Sequence, residues 1–400
     1  MRDVVIVEAV RTAVGAFGKS LKPLNAETLA ATVLKAAVER AGVSVDTVDE
    51  ICMGHCRQTE DFSNTARYAA LMAGFPEEIP ANTVMCACAS GMLAARNAVN
   101  LIRGGDAEVV LAGGTESMTN APFYLPNARW GLGTGTAQLR DSLTEAQFQS
   151  QPPDIYGRFN MGITAENVAE KMGISREEQD EFSLRSQEKA AAAIAAGRFR
   201  DEIVPLTVPQ GRKKPPMIFD TDEFPRETSL EKLAALKPAF QPDGGTVTAG
   251  NSSGRNDGAS VLLLMSAEKA ESLGVTPLAV IRGISSAGVD PRYMGLGPVS
   301  ATRKVLEMTG LSLDDMGLIE LNEAFAAQSL GCIRELGLTE RLDIINVNGG
   351  AIALGHPIGS SGSRIIVTLV HEMKKRAERY GLATLCIAGG MGMAAVLELV

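Results

Sequence analysis

The sequence predicts an α/β fold made of two related halves, with a different kind of segment inserted between them. Three observations carry this reading. Short β-branched or apolar runs alternate with stretches of helical periodicity in the first part of the chain. Parts of that plan recur in the same order after residue 300, and prolines crowd the stretch in between.

Residues 4–7 form a β-branched run that reads as an edge-to-core strand, followed by a Gly-rich turn around Gly15 and Gly18. Residues 27–41 have helical periodicity and stop at Gly42, a residue suited to the left-handed cap. A strand over 50–53, a helix over 65–73 and a strand over 81–86 lead into Cys88-Ala-Ser-Gly91. A helix over 92–103 stops at Gly104-Gly105, and a buried strand over 109–112 closes at Gly113-Gly114. Strands alternating with helices predict a mostly parallel sheet covered on both faces.

Gly42-Val-Ser-Val-Asp-Thr-Val-Asp-Glu-Ile51 is echoed by Gly310-Leu-Ser-Leu-Asp-Asp-Met-Gly-Leu-Ile319, 268 residues later. Leu111-Ala-Gly-Gly114 is echoed by Ile387-Ala-Gly-Gly390, at an offset of 276. The first offset carries Cys88 onto His356. If the halves pair about a pseudo-twofold axis, these two residues occupy equivalent junctions and can meet.

The segment 120–250 holds Pro152-Pro153, Pro215-Pro216 and other prolines, and a helix over 175–196 announced by a capping box, Ser175 with Glu178. It reads as an inserted loop domain. Arg198, Arg200, Arg212, Lys213, Lys214, Arg226, Lys232 and Lys237 gather there, as a site for an anionic ligand or as a solvated surface.

A chain of 400 residues, 45% hydrophobic, can bury a large core. Its net charge of −9 argues against nucleic-acid binding. No apolar run reaches the length of a membrane span, Glu8 comes too early for a signal peptide, and Leu397-Glu-Leu-Val400 is not a peroxisomal address. The expectation is a cytoplasmic protein. Six cysteines without a secretion signal do not make a disulfide framework; they are buried thiols or carry chemistry.

Cys88 lies between an apolar strand and a helix, where backbone N–H groups and the helix dipole favour the thiolate. Of the three histidines, His371 lies in a helix over 365–379 beside Glu372 and Lys374 and reads as a surface residue. His55 stands between Cys52 and Cys56, but Cys-x2-His-Cys is not a zinc spacing, and no metal site is expected. His356 sits in Asn346-Val-Asn-Gly-Gly-Ala-Ile-Ala-Leu-Gly-His-Pro-Ile-Gly-Ser-Ser-Gly362, on a sharp strand-to-helix connection. Gly355 and Gly359 there would let backbone approach a ligand, which points to a general base. Asn322-Glu-Ala-Phe325 follows a strand over 318–321, at the end where α/β sites collect. Cys386 lies in an apolar run that raises a thiol's pKa and suits a proton carrier.

Together these segments resemble the thiolase family nearly end to end. Cys88-Ala-Ser-Gly91 is similar to its nucleophile motif, Asn322-Glu-Ala-Phe325 to its Asn-Glu-Ala-Phe block, and Gly355-His356-Pro357 to its Gly-His-Pro block. Cys386-Ile-Ala-Gly-Gly-Met-Gly392 resembles its C-terminal cysteine motif, and Asn251-Ser-Ser-Gly-Arg-Asn-Asp-Gly258 its coenzyme A loop. The resemblance implies duplicated βαβαβαββ halves in a layered α/β/α/β/α core. It assigns 1–119 with 251–275 to the first half, 120–250 to a loop domain for coenzyme A and oligomer contacts, and 276–400 to the second half.

It further implies that His356 activates Cys88 as acyl acceptor and that the N–H groups of Cys88 and Ala388 hold the oxyanion. Cys386 removes the α-proton of a second acetyl-CoA, and His356 with a water on Asn322 stabilises the enolate. Coenzyme A contacts fall on Ser253, Ala249 and Arg226, and the pocket wall on Met161, Met294 and Phe325. Coenzyme A and acyl-CoA are then substrates, no cofactor is permanently bound, and the chain forms a homodimer or homotetramer. The expected activity is acetyl-CoA C-acetyltransferase, with a longer-chain 3-ketoacyl-CoA thiolase as the alternative and a non-catalytic acyl-CoA-binding protein as the alternative of another class. A decarboxylating condensing enzyme calls for a second histidine, which the Asn322 motif lacks. The chain departs from the family pattern at Met85, Cys86 and Ala87, which imply a more apolar site and a Cys86-x-Cys88 redox pair. It departs also at Asn160, where acetoacetyl-CoA-forming members carry His, and at Ala388.

Overall fold

The computed structural model describes residues 2–58, 63–211 and 213–400. The chain opens with β1 (Val4–Thr12), α1 (Ala26–Ala41), β2 (Glu50–Gly54), α2 (Thr65–Met72), β3 (Ala81–Val84), α3 (Ser90–Gly104) and β4 (Val109–Ser117). Helices α4 (Ser142–Phe148), α5 (Met161–Met172) and α6 (Arg176–Ala195) follow, and β5 (Asn256–Ser266) returns to the sheet. The remainder is β6 (Ala279–Gly288), α7 (Gly297–Thr309), β7 (Leu318–Leu321), α8 (Ala326–Glu335), α9 (Ile358–Arg376), β8 (Tyr380–Ile387) and β9 (Met391–Leu399). α1 ends as its sequence indicates, with Gly42 left-handed at φ 68°, and both hydrogen bonds of the Ser175–Glu178 capping box form.

The sheet order is β7-β8-β9-β6-β1-β5-β4-β2-β3. It divides into two arrays of like design: β1-β5-β4-β2-β3, and β6-β9-β8-β7, with the isolated parallel bridge Ile319↔Ile345 beyond β7. Among the described residues, the strand pairs that join them are Val5↔Val280 and Ile6↔Ala279. Alternate residues of β1 face opposite layers: Val4, Ile6 and Ala9 enter the central core, and Val5, Val7 and Val10 an outer one. A bulge between Ile6 and Glu8 resets the alternation. Helices α3 and α9 lie back to back between the arrays, α1 and α2 cover one outer face, and α7 and α8 the other. The result is the five-layer α/β/α/β/α core.

Several sequence expectations change here. The sheet is mixed rather than mostly parallel: β2 pairs parallel with β3 and β4, and β7 with β8, but β4, β5, β1, β6, β9 and β8 are joined antiparallel in that order. Helix crossovers impose parallel pairing only inside each βαβ unit. β9 follows β8 by a tight turn, and β5 follows β4 through the insertion. The N-terminal strand is central, not edge-to-core. β4 runs through Gly113 and Gly114 to Ser117, because these glycines serve close approach: a Cβ on either would stand 2.0 Å from the carbonyl oxygen of Ser260 or Gly359.

The 268-residue offset holds in space, since α3 and α9 begin at Ser90 and Ile358 and β2 and β7 at Glu50 and Leu318. The 276-residue match does not. Leu111 pairs with Ile51, and its counterpart, paired with Ile319, is Leu382. Helix α9 starts at Ile358 and is buried continuously from Gly359 to Met373, so His371 is a core residue whose Nε2 lies 2.7 Å from the carbonyl of Ala9.

Candidate active site

Cys88 and His356 each stand two residues before a central helix, α3 and α9. Before Cys88 the chain leaves β3 through Ala87, at a left-handed φ of 43° that costs a non-glycine residue roughly 1–2 kcal/mol. Polar contacts hold this turn: Ser90 Oγ accepts the N–H of Cys86 at 2.8 Å and donates to the carbonyl of Ala87 at 2.7 Å. The Cys56 thiol donates to the same carbonyl at 2.9 Å.

His356 comes between the helical turn Ala351–Leu354 and α9, rather than after a strand. Gly355 has φ 99°, and a Cβ there would meet the Asn256 amide at 2.5 Å; that amide's Oδ1 accepts the N–H of His356 at 2.9 Å. A Cβ on Gly359 would reach the Thr115 carbonyl at 2.4 Å. Both glycines therefore admit neighbouring protein, not a ligand. His356 Nδ1 lies 2.6 Å from Ser361 Oγ, while its buried Nε2 has no partner among the described residues.

Cys88, His356, Cys386 and Ala388 share the wall of one cavity of about 450 Å³. Met161, Met294, Phe325, Ser253 and Asn160 line it too, as do Arg57, Arg255 and Phe148, which the motifs did not single out. Phe240 stands edge-on to Phe325 with ring centres 6.1 Å apart. Ala249 and Arg226 lie outside the wall, joined by an Arg226 Nη2 bond of 2.9 Å to the Ala249 carbonyl. Asn322 is off the wall as well, buried with both side-chain amide atoms unpartnered among the described residues. Its neighbour Glu323 is committed to structure, accepting from Ser186 and Asn346 at 2.7 Å each. Met85 is 63% exposed and off the wall, so it does not make the site more apolar. Of the described members of the basic cluster in 198–237 none lines the cavity; Arg198 pairs with Glu372, and Arg212 is outside the described residues.

The electrostatics overturn one expectation. Burial pushes the Cys88 thiol up to about 11, against the pull of the Ala388 N–H, the Arg57 charge and its own N–H. Together these pulls are smaller than the desolvation. Burial, with the Cys88 sulfur close by, also raises Cys386 well above the ordinary thiol value. His356 is pushed down to about 4 by burial first and by the Arg364 charge second, against Glu116. The resting site is thus two thiols and a neutral imidazole. His55 is bound elsewhere, with Nδ1 3.0 Å from Thr65 Oγ1 and Nε2 3.3 Å from Glu116 Oε1.

The family profile described as thiolase, N-terminal domain, matches residues 4–268, and that described as thiolase, C-terminal domain, matches 275–399. The chain is 54% identical over 398 residues to the acetyl-CoA acetyltransferase of Pseudomonas aeruginosa and 53% over 397 residues to that of Chromobacterium violaceum, covering 99% of both chains each time. The crystal structure of the Bacillus anthracis acetyl-CoA acetyltransferase superposes with a TM-score of 0.95 at 48% identity, over 100% of this chain and 99% of the other. Human mitochondrial 3-ketoacyl-CoA thiolase in complex with CoA superposes with a TM-score of 0.94 at 43% identity, over 100% and 98%. The likeness spans both halves and the insertion, and on it this chain belongs to the thiolase family and is an enzyme of the thiolase class.

Proposed function

We propose that the chain is an acetyl-CoA C-acetyltransferase, interconverting two acetyl-CoA with acetoacetyl-CoA and coenzyme A. The observation that carries this reading is the convergence of Cys88, His356 and Cys386 on one cavity, with the Ala388 N–H directed at the Cys88 sulfur. His356 Nε2 takes the Cys88 proton as the sulfur attacks the thioester carbonyl. The oxyanion rests on the N–H groups of Cys88 and Ala388, and coenzyme A leaves with the proton from His356. Cys386 then passes its own proton to His356, neutral again at this stage, and as the thiolate removes the α-proton of a second acetyl-CoA, a task its high proton affinity suits. The proton on His356 returns to the Cys88 sulfur when the acyl group leaves it. His356 and the unpartnered Asn322 amide, through a water, hold the enolate oxygen, and the carbanion attacks the acyl-Cys88. Thiolysis reverses each step. Ser253 contacts the pantetheine arm, with the Ala249 backbone and Arg226 further out; Met161, Met294 and Phe325 bound the acyl end.

Asn160 favours the second reading, a longer-chain 3-ketoacyl-CoA thiolase. It stands on the cavity wall, but its Oδ1 is engaged by the N–H of Ile163 at 3.1 Å as the cap of α5. The test is coenzyme A-dependent cleavage of acetoacetyl-CoA beside a longer 3-ketoacyl-CoA. Preference for the first supports the acetyltransferase, and preference for the second moves the assignment to the longer-chain enzyme.

The working form is a homodimer or homotetramer in the cytoplasm. Strand β3 ends the sheet, and Leu71, Met72 and Met85 are exposed close to it, an apolar edge of the kind that pairs with a second chain. No helix among the described residues is long and apolar enough to cross a membrane.

A further inference from the structure

Arg57 follows β2 and lies on the wall of the reaction cavity. Its backbone is fixed from behind: Glu116 Oε1 accepts the Arg57 N–H at 3.1 Å, and Glu116 Oε2 accepts that of Cys56 at 3.3 Å. Cys56 is docked on the nucleophile turn, with its thiol on the Ala87 carbonyl and 3.2 Å from Ser90 Oγ. Arg57 is therefore held beside the turn that carries Cys88. Among the described residues its guanidinium makes no hydrogen bond or ion pair, and Nε is buried without an acceptor. The nearby carboxylate is already engaged, since Glu116 also takes the Gly359 N–H at 2.9 Å and faces His55 at 3.3 Å. Arg255, the other cation of the wall, has Asp141 at 3.9 Å.

A part-buried cation whose guanidinium forms no ion pair among the described residues, and whose nearest described carboxylate, Glu116, is spent on backbone N–H groups, can serve an anion that the reaction creates. We propose that Arg57 is an electrostatic partner of Cys88, stabilising the negative charge on the sulfur as the thiol gives up its proton. The proposal deepens the thiolase reading and rests on Cys88 as its nucleophile. The other groups around that sulfur cannot supply the charge: Cys56, Cys86 and Cys386 are thiols raised by burial, and His356 is neutral above about 4. The direction of the Arg57 influence on Cys88, downward against burial, agrees with the geometry.

The test is alkylation by iodoacetamide of the full chain, with Cys88 followed by peptide mass between neutral and strongly alkaline pH. The thiolate displaces iodide to form a thioether, so the rate at a given pH reports the thiolate fraction. Arg57→Leu is expected to slow alkylation near pH 8 by about tenfold, as a rise of one pKa unit requires. Its kcat for acetoacetyl-CoA cleavage should fall while KM stays. Arg57→Lys should keep most of the rate, and Arg57→Gln should behave as the Leu variant; that pair decides the matter if the Leu variant does not fold. Unchanged alkylation in the neutral variants overturns the proposal. So does a loss confined to KM, or one confined to 3-oxoacyl-CoA substrates ending in a carboxylate. The thiolase reading fails separately, if acetyl-CoA neither acylates wild-type Cys88 nor protects it.

Discussion

His356 Nδ1 sits 2.6 Å from Ser361 Oγ, and that hydroxyl donates its own proton to the Pro357 carbonyl 3.0 Å away. A hydroxyl has one proton, so both bonds form together only when the imidazole donates at Nδ1, which leaves Nε2 as a bare lone pair. On the proposed mechanism the serine thereby favours the tautomer that can receive a proton from Cys88. Ser361→Ala removes the acceptor and lets the Nε2–H tautomer compete. A lost hydrogen bond of about 1 kcal/mol predicts a fall in kcat of about 5-fold. Ser361→Thr, which keeps the hydroxyl, should recover much of it. Equal losses in both variants would point to packing instead.

The pH profile follows from the same histidine. Its folded pKa is depressed to about 4, and on the proposed mechanism protonation there abolishes the base. The acid limb of kcat/KM for acetoacetyl-CoA cleavage is therefore expected near pH 4, with no histidine limb between 5 and 8. A limb at 6 to 7 would contradict it. The linkage has a matching sign: between 6.5 and about 4 the unfolded chain binds more protons at this residue, so its share of stability shrinks as pH falls through that window.

On the proposed mechanism the two cysteines of the cavity divide the chemistry. Cys88→Ala is expected to abolish the acyl-enzyme seen as a mass increase with acetyl-CoA. Cys386→Ser should still acylate at Cys88 but lose condensation by at least about a hundredfold, because a hydroxyl is a far poorer proton carrier than a thiol. Loss of acylation in both variants would remove the division of roles.

Much of this was legible in the sequence because glycine, cap and motif residues act locally. Gly42, the Ser175–Glu178 box and the 268-residue repeat follow from backbone geometry alone, and the repeat brought Cys88 and His356 to matching positions. What was not legible depends on the third dimension. Antiparallel pairing of β5 and β9 has no signal in helix–strand alternation. His371 looks polar among charged neighbours, yet α9 is enclosed between two sheet arrays. The thiol of Cys88 reads as activated by a helix end, yet the burial that raises it comes from residues distant in sequence. Arg57 carried no motif at all; only the assembled cavity shows it beside Cys88.

Glu116 is a buried carboxylate on which three backbone N–H groups from two segments converge: those of Cys56, Arg57 and Gly359, at 3.3, 3.1 and 2.9 Å. It thereby ties the end of β2 to the first turn of α9, and so the Arg57 wall to the His356 loop. Burial alone would raise its pKa above 4.5, but the hydrogen bond and charge of His55, with the Arg57 N–H and charge, bring it below. Glu116→Gln keeps the shape, yet presents an NH₂ to N–H groups that need an acceptor. A loss of about 3 kcal/mol is expected, the low end for breaking a buried charged cluster, together with a fall in kcat as the loops separate. A depressed folded pKa means that the carboxylate stabilises the fold above 4.5 and ceases to do so as pH drops through its lower folded value. The gap between wild type and variant in urea midpoint should therefore be widest at neutral pH and close below 4.5. A gap independent of pH would show that Glu116 acts by shape rather than by charge.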